Sequence, residues 1–99
     1  MRRRAQVDEN QQSIIDGLRA CGRSVTPLHT VGGGVPDLLV GYQSGNFLLE
    51  VKRDKKAKLT PAQIDWHLLW RGQRAIVTTL EEAIIITDGR RAKFQTTTN

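Results

Sequence analysis

The first segment with a regular apolar pattern covers residues 7–21. Its apolar residues recur at the spacing of one helical face, and polar residues occupy most of the remaining positions. The apolar positions are Val7, Ile14, Ile15, Leu18 and Cys21. The pattern predicts an amphipathic helix, with Asp8 near its start and Gly22 as the residue that ends it. A short strand over residues 24–28 is expected next.

Two apolar runs in the middle of the chain predict an antiparallel hairpin. The first run covers residues 35–42 and is bounded by proline and glycine, and the second covers residues 47–52. The residues between them, 43–46, have the composition of a turn. Because the second run is apolar on both faces, it is expected to be a central strand of its sheet.

The second half of the chain carries start signals for two more helices. Thr60, with a proline directly after it, is typical of a helix start, and this helix is expected to end at Gly72. A strand over residues 74–78 should follow. Thr79 begins a Thr-x-x-Glu capping box that favours a helix over residues 80–86, although the three isoleucines there fit a strand equally well.

Composition limits the chain to one small globular domain over residues 1–99. Its 99 residues include 15 Lys and Arg against 10 Asp and Glu, which gives a formal charge of +5 and a pI near 10.0. Residues 1–6 are expected to form a basic arm and residues 95–99 a polar tail. A single cysteine, with no apolar run of membrane length, predicts a cytoplasmic protein without a membrane partner. The positive charge indicates either a nucleic-acid partner or a merely basic surface.

Three charged side chains are expected to converge at one end of the hairpin. Glu50 and Lys52 project from the same face of one strand, and Asp37 lies near the far end of the partner strand. Two carboxylates on neighbouring strands suit a hard cation such as Mg²⁺ or Mn²⁺, which also binds water and phosphate oxygens. Lys52 is placed to orient a nucleophilic water or to stabilise charge on a phosphate.

An ion pair on a solvated strand is the structural alternative for these charges. The motif Glu-x-Lys is common, and taken alone it favours that alternative. Charges are costly on a central strand, however, so the apolar neighbours within residues 47–51 favour a functional site.

Four segments together resemble the VRR-NUC branch of the PD-(D/E)XK nuclease superfamily. They are residues 34–41, 49–52, 59–63 and 66–67, and the resemblance extends from about Val7 into the last helix. It implies an α/β fold with a restriction-endonuclease-like core. In that fold a central mixed β-sheet is flanked by helices, with the element order α-β-β-β-α-β-α.

The same resemblance implies a catalytic and metal-binding set. The implied catalytic residues are Asp37, Glu50, Lys52, Gln63 and Gln11. The implied ligands of Mg²⁺ or Mn²⁺ are Asp37, Glu50 and the backbone carbonyl of Val51. Gln11 stands where the family often has a glutamate in its first helix, and Glu9 is the alternative for that role.

Two loops and a histidine are the expected contacts to DNA. The glycine run at 32–34 leaves room for a DNA backbone to approach Asp37, and a flexible hinge is the alternative. The basic loop after the hairpin is expected to hold phosphates without reading base sequence. The predicted DNA-contacting residues are Gly33, Gly34, His29, Lys55, Lys56 and Lys58.

The helix that begins after Thr60 raises three further expectations. Thr60 and Gln63 also form a capping box, and one amide is not expected to serve both the cap and the site fully. Trp66 and Trp70 share a helical face, and at least one of them is expected in the core. His67 is expected either to contact phosphate or to form a hydrogen bond within the fold.

The function predicted from these features is that of a metal-dependent, structure-selective DNA endonuclease. The resemblance implies similarity to Holliday-junction resolvases of bacteria and phages, which act as homodimers on four-way junctions. It therefore predicts the cytoplasm of a bacterium or a phage-infected cell as the location. The alternative is a basic module that binds branched DNA without cutting it. A third reading is a dimerising scaffold whose acids form only ion pairs, and it predicts no effect of divalent ions.

Overall fold

Seven elements follow one another in the computed structural model, which describes residues 2–89, and side chains from Glu9 onward. They are α1 (Arg2–Ala20), β1 (Ser24–Pro27), β2 (Leu38–Tyr42), β3 (Gly45–Val51), α2 (Pro61–Leu69), β4 (Arg74–Val77) and α3 (Leu80–Asp88). The predicted α/β fold class and element order are confirmed. The first helix begins at Arg2, so its backbone occupies most of the region predicted to be a separate arm. The predicted tail at 95–99 lies outside the described residues.

The four strands form one mixed sheet in the order β1-β2-β3-β4. The pairs β1–β2 and β2–β3 are antiparallel, whereas β3 and β4 run parallel. The hairpin turn is shorter than expected, because Gln43 and Ser44 both take positive φ (50° and 69°) and close a two-residue turn. The resulting register pairs Leu38 with Leu49, which brings the residue before β2 to the end of β3.

One face of the sheet carries the hydrophobic core. Phe47, Leu49 and Val51 alternate along β3 and are buried in one cluster with side chains of α1 and α3. Leu48 and Glu50 therefore project from the opposite face. The isoleucine run forms the helix α3 and not a strand. No helix in the described part of the chain is both long enough and apolar enough to cross a membrane.

The short helix α2 belongs to that opposite face. It begins at Pro61 as predicted but ends at Leu69, before Gly72, because Trp70 takes an extended conformation (φ −74°, ψ 131°). Its first turn lies against the loop between β1 and β2, residues 28–37, which contains the glycine run and which we call the glycine loop. A Cβ on Gly34, which has a φ of 83°, would overlap the backbone carbonyl of Ala62. The loop and the start of α2 are thus packed without space for a side chain.

Replacing Gly34 with alanine should destabilise the protein more than replacing Gly33. Both residues have positive φ (83° and 66°), so both substitutions carry a conformational cost of about 1–2 kcal/mol. Only the methyl group at position 34 would meet the backbone of α2, since position 33 faces open space. The difference in melting temperature between the two variants measures the contact. Equal melting temperatures would show that the loop is not packed on α2.

Candidate active site

Asp37 is held at the start of the hairpin by its own backbone and side chain. Pro36 before it is fully buried, and the carbonyl of Asp37 accepts a hydrogen bond from the amide of Leu28 (2.6 Å). Its side-chain Oδ2 accepts a second hydrogen bond from the amide of Val51 (2.8 Å). The side chain of Asp37 is therefore hydrogen-bonded to the end of β3, which is where the predicted hairpin pairing was expected to bring it.

Glu50 is a buried carboxyl group next to that of Asp37, and we call these two residues the acidic pair. Glu50 is only 4% exposed. Its Oε2 accepts a hydrogen bond from the side chain of Gln63 (3.0 Å), while Oε1 is buried without a partner among the described residues. Burial, and then the charge of Asp37, raise the pKa of Glu50 to about 8, and the charge of Lys52 opposes this rise. The carboxyl group of Glu50 therefore retains its proton at neutral pH.

Lys52 completes the group of three charges predicted from the strand pattern. Its charge acts on the carboxyl of Glu50, and its own side chain is half-buried. The backbone at this point is fixed from two sides. The amide of Lys52 donates to the carbonyl of Val77 (2.9 Å), and its carbonyl accepts from the side chain of Asn10 (3.3 Å). The fold thus brings together the acidic pair and one ammonium group, as the sequence predicted.

Gln63 serves the helix cap and the acidic pair at once, which corrects the expectation that one amide would not do both. Its Oε1 accepts the backbone N–H of Thr60 (2.8 Å), and the Thr60 hydroxyl accepts the N–H of Gln63 (3.2 Å). Because a backbone N–H can only donate, the amide oxygen must face Thr60. The amide nitrogen is left to donate to Glu50. Helix capping therefore determines which end of the amide meets the acid.

The first helix reaches this site through Asn10, which was not among the site residues predicted from the sequence. The hydrogen bond from Asn10 to the carbonyl of Lys52 joins α1 directly to the end of β3. Gln11, the predicted site residue, is buried, and within the described residues no hydrogen bond joins it to the acidic pair. Glu9 is exposed. Helical periodicity does not distinguish Asn10 from its neighbours, so the sequence offered no signal for it.

The acidic pair has the chemistry of a site for a hard divalent cation. The described residues contain no group of three or more His, Cys, Asp or Glu side chains that could hold a metal ion together, so backbone and water would supply the other ligands. The amide of Val51 faces Asp37, and a residue in an extended strand points its carbonyl to the same side as its N–H. The Oε1 atom of Glu50 is buried and accepts no hydrogen bond from the described residues. A few oxygen donors with places left for water fit Mg²⁺ or Mn²⁺.

The glycine loop ends at Asp37 of the acidic pair and contains three of the predicted DNA contacts. His29 and Gly33 are exposed, and an added Cβ on Gly33 would meet nothing within 4 Å. Gly34 differs from them because it is half-buried against the first turn of α2. His29 and Gly33 thus remain open to an approaching ligand, whereas the backbone of Gly34 is tied to the helix.

The basic loop continues directly from β3 and contains the other three predicted contacts. Lys55, Lys56 and Lys58 are exposed. Asp54 orders the loop by accepting hydrogen bonds from the amides of Lys56 (2.8 Å) and of the following alanine (2.9 Å). Lys55 forms an exposed ion pair with Glu82 (3.7 Å). The lysines are therefore presented to solvent by a short, hydrogen-bonded turn beside the site.

His67 and the two tryptophans are not placed as expected. His67 is buried, and neither ring nitrogen has a hydrogen-bond partner among the described residues. Burial and the charge of Arg74 lower the pKa of His67, so its imidazole is neutral at pH 7. Trp66 is half-buried and Trp70 is 45% exposed, and their rings stack on each other with centroids 4.8 Å apart. The prediction of a core tryptophan is wrong, because the core cluster contains neither ring.

Glu50→Gln should remove a pH dependence from the stability of the protein in chelator. The folded state raises the pKa of Glu50 from 4.5 to about 8, so between these values the folded protein binds a proton that the unfolded chain releases. The stabilisation from neutral Glu50 is thus complete below pH 4.5 and is lost as the pH rises towards 8. The melting temperature of the parent protein should fall over this window relative to that of Glu50→Gln. Glu81→Gln, at an exposed acid of α3, is the control and should follow the parent.

Comparison with solved structures identifies a protein of the same fold. No protein-family model matches the sequence, and no curated protein matches it either. Among solved structures, the chain is similar to one described as a VRR_NUC domain, with a TM-score of 0.68 and 24% sequence identity. The match covers 85% of this chain and 96% of the other. Similarity at this level of identity carries the architecture and not the roles of individual residues. The chain therefore has the fold of a VRR-NUC domain.

Proposed function

We propose that this chain is a metal-dependent nuclease that hydrolyses phosphodiester bonds in DNA. The observation that carries the proposal is the acidic pair, in which one carboxyl group is buried with an unpartnered oxygen and a raised pKa. Two adjacent acids in a largely buried setting are costly to a fold unless a cation neutralises them, and such groups concentrate at functional sites. The shared architecture supports the assignment, because the VRR-NUC fold is a nuclease-type fold.

The proposed ligands of the metal are Asp37, Glu50 and the carbonyl of Val51, with Mg²⁺ or Mn²⁺ as the ion. When bound, such an ion polarises a phosphate and lowers the pKa of a water molecule. The protein holds the ligands in advance. Asp37 is fixed by the amide of Val51, and Gln63 holds one oxygen of Glu50, so the other oxygen is the one available to a cation.

The proposed role of Lys52 is to stabilise the charge on the phosphate that is cut or to orient the water that attacks it. Lys52 is half-buried and its charge acts on Glu50, and in such a setting a positive charge acts more strongly on a phosphate than it would in bulk water. The hydrogen bonds to Val77 and from Asn10 fix its backbone, so the side chain extends from a fixed point at the end of β3. Gln11 is proposed to add a polar group from the first helix.

DNA is the proposed substrate, and branched DNA is its proposed form. The formal charge of +5 and the exposed lysines of the basic loop favour a polyanion, and the open side of Gly33 leaves room for a backbone near Asp37. The motifs that resemble junction resolvases support a four-way junction as the substrate and a homodimer as the active form. In that arrangement each copy would cut one of two opposed strands.

The decisive test is cleavage of end-labelled DNA by the purified protein. A four-way junction, a splayed duplex, a linear duplex and a single strand are compared in Mg²⁺, in Mn²⁺ and in chelator. Paired cuts confined to the junction, and only with a metal, are expected. Cuts on every substrate would support a nuclease without junction preference. Tight binding without any cut would replace the proposal with the non-cutting DNA-binding module.

Lys52→Ala and Asp37→Asn should separate catalysis from metal binding. Lys52→Ala removes the ammonium group and keeps both acids, so cleavage should fall by about a hundredfold or more while Mn²⁺ still raises the melting temperature. Asp37→Asn removes a proposed ligand, so both cleavage and the stabilisation by Mn²⁺ should decrease. Full activity of Lys52→Ala would end the proposed role of the lysine. A stabilisation by Mn²⁺ that is unchanged in Asp37→Asn would exclude the acidic pair as the metal site.

Replacing Lys55, Lys56 and Lys58 together with alanine should weaken DNA binding and reduce its salt dependence. Each lysine that neutralises a phosphate releases a counterion, so the slope of log affinity against log salt should fall by up to about 3. Binding is measured by fluorescence anisotropy in chelator, over a range of salt concentrations, with junction and linear duplex. The loss should be similar for both DNAs, because phosphate contacts do not read structure at the branch. An unchanged slope would remove this loop from the interface.

A further inference from the structure

The end of α2 and the two residues that follow it line a shallow cavity at the surface. The lining consists of Leu68, Leu69, Trp70 and Arg71, and we call this site the tryptophan cavity. Its volume is about 330 Å³, at the lower end of the range of about 300–1,000 Å³ that is usual for small-molecule sites. Leu68 is 75% exposed and Trp70 is 45% exposed. The cavity therefore has the size to take one small group from solvent.

The ring of Trp70 is held in position by its neighbours. It stacks on the ring of Trp66, with centroids 4.8 Å apart and an angle of 17° between the planes. Trp66 in turn meets the buried ring of His67 edge to face (5.4 Å). Gly72 lies close to the indole nitrogen of Trp70, since a Cβ on Gly72 would be 2.8 Å from Nε1. Trp70 thus offers the cavity a fixed aromatic surface, which is what a nucleobase stacks on.

The charge of the cavity is positive. Arg71 is the charged residue of its lining, and no acid contributes to that lining. Arg71 is exposed and forms no ion pair within the described residues. Arg74 is exposed three positions further on, and the chain has no Asp or Glu from position 66 to position 80. An indole next to an unpaired guanidinium complements a ligand that combines a flat ring with a negative charge.

We propose that the tryptophan cavity binds one unpaired nucleotide of a DNA strand, with its base stacked on Trp70 and its phosphate next to Arg71. This inference rests on the proposed function and specifies its substrate. Gln63, which donates to Glu50, and Leu69 in the cavity are six residues apart in one helix, or about 9 Å along its axis. That distance corresponds to about three nucleotides of a stacked strand.

The state of the DNA decides whether the cavity can be filled. A base inside a duplex is paired and stacked on both sides, so it is not available to Trp70. An unpaired base at a branch or in a single-stranded end is available, and little stacking is lost when it moves onto the indole. The cavity therefore selects DNA with unpaired bases near the acidic pair. The basic loop, in contrast, contacts phosphates and serves both kinds of DNA.

Tryptophan fluorescence reports on this site directly, because the chain has two tryptophans and both belong to the stack. The full chain is titrated in chelator with an oligothymidylate and with a blunt duplex that has the same number of nucleotides. Stacking of a base on Trp70 should quench the emission with oligothymidylate and leave it nearly unchanged with the duplex. Binding of oligothymidylate without quenching would overturn the proposal.

Substitution of Trp70 tests the stacking itself by fluorescence anisotropy of the labelled DNA. Trp70→Ala should lower the affinity for oligothymidylate about tenfold or more, the loss typical of a base without its aromatic partner, and should change the affinity for duplex less than about twofold. Trp70→Phe retains a ring and should keep most of the affinity. Ile85→Ala is the control at an apolar residue of α3 with similar exposure (40%), on the side of the sheet that carries the core, and should match the parent.

Substitution of Arg71 tests the phosphate contact separately. Arg71→Ala should weaken the binding of oligothymidylate and lower the slope of log affinity against log salt by about 1, because one counterion fewer is released. Trp70→Ala should leave that slope unchanged, since stacking releases no counterion. Circular dichroism checks the fold of each variant. Arg71 is exposed and unpaired in the described residues, so its variant tests the cavity even if Trp70→Ala unfolds.

Two further outcomes would overturn the proposal. The affinity of folded Trp70→Ala for oligothymidylate is unchanged, or its affinities for single strand and duplex fall equally. Self-association that depends on Trp70, with unchanged affinity for DNA, would assign the cavity to a protein partner. All these measurements record binding without metal. A chain that cuts DNA while Trp70→Ala binds normally would refute the cavity alone, whereas a chain that shows the predicted stacking but never cuts would refute the nuclease alone.

Discussion

The hydrogen bond from the amide of Val51 to the carboxyl of Asp37 connects the chemistry of this protein to its fold. It exists because β2 and β3 pair in the register that sets Leu38 beside Leu49, with a two-residue turn between the strands. A shift of one residue would turn Glu50 into the core and direct the buried leucines to the open face. The same alternation that builds the core therefore delivers two acids and a lysine to one end of the sheet.

The burial of Glu50 then gives this site its electrostatic character. A carboxyl group with little contact to water, next to a second acid, takes up a proton until a positive charge approaches. Gln63 donates a hydrogen bond to Glu50 through its amide nitrogen, because its amide oxygen accepts a hydrogen bond in the helix cap. The folded protein therefore favours the protonated form of Glu50 at neutral pH, and a cation bound at the acidic pair would relieve the same electrostatic cost in another way.

The helix α2 links this chemistry to the surface of the molecule. Gln63 and the buried His67 face the sheet, whereas Leu68 and Leu69 are exposed to solvent. The capping box and the close approach of Gly34 hold its first turn, while Leu68 and Leu69 at its last turn are largely exposed. The first turn of α2 is thus the part of the helix that is fixed next to Glu50.

The sequence by itself determined the first helix, the hairpin and the start of α2, because each follows from local periodicity, turn composition or capping residues. The expectation that Asp37, Glu50 and Lys52 lie at one end of the hairpin follows from the alternation of side chains along the two strands, whereas the residues of the last element fitted a helix and a strand equally well. Only the tertiary structure decided what depends on contacts between distant segments. The register that sets the amide of Val51 on Asp37, the choice of Asn10 over Gln11 as the bond from α1, and the double use of Gln63 are of this kind. The exposure of Trp70 and Leu68 is another example, since an apolar residue at helical spacing has the same pattern whether its partner lies within the chain or outside it.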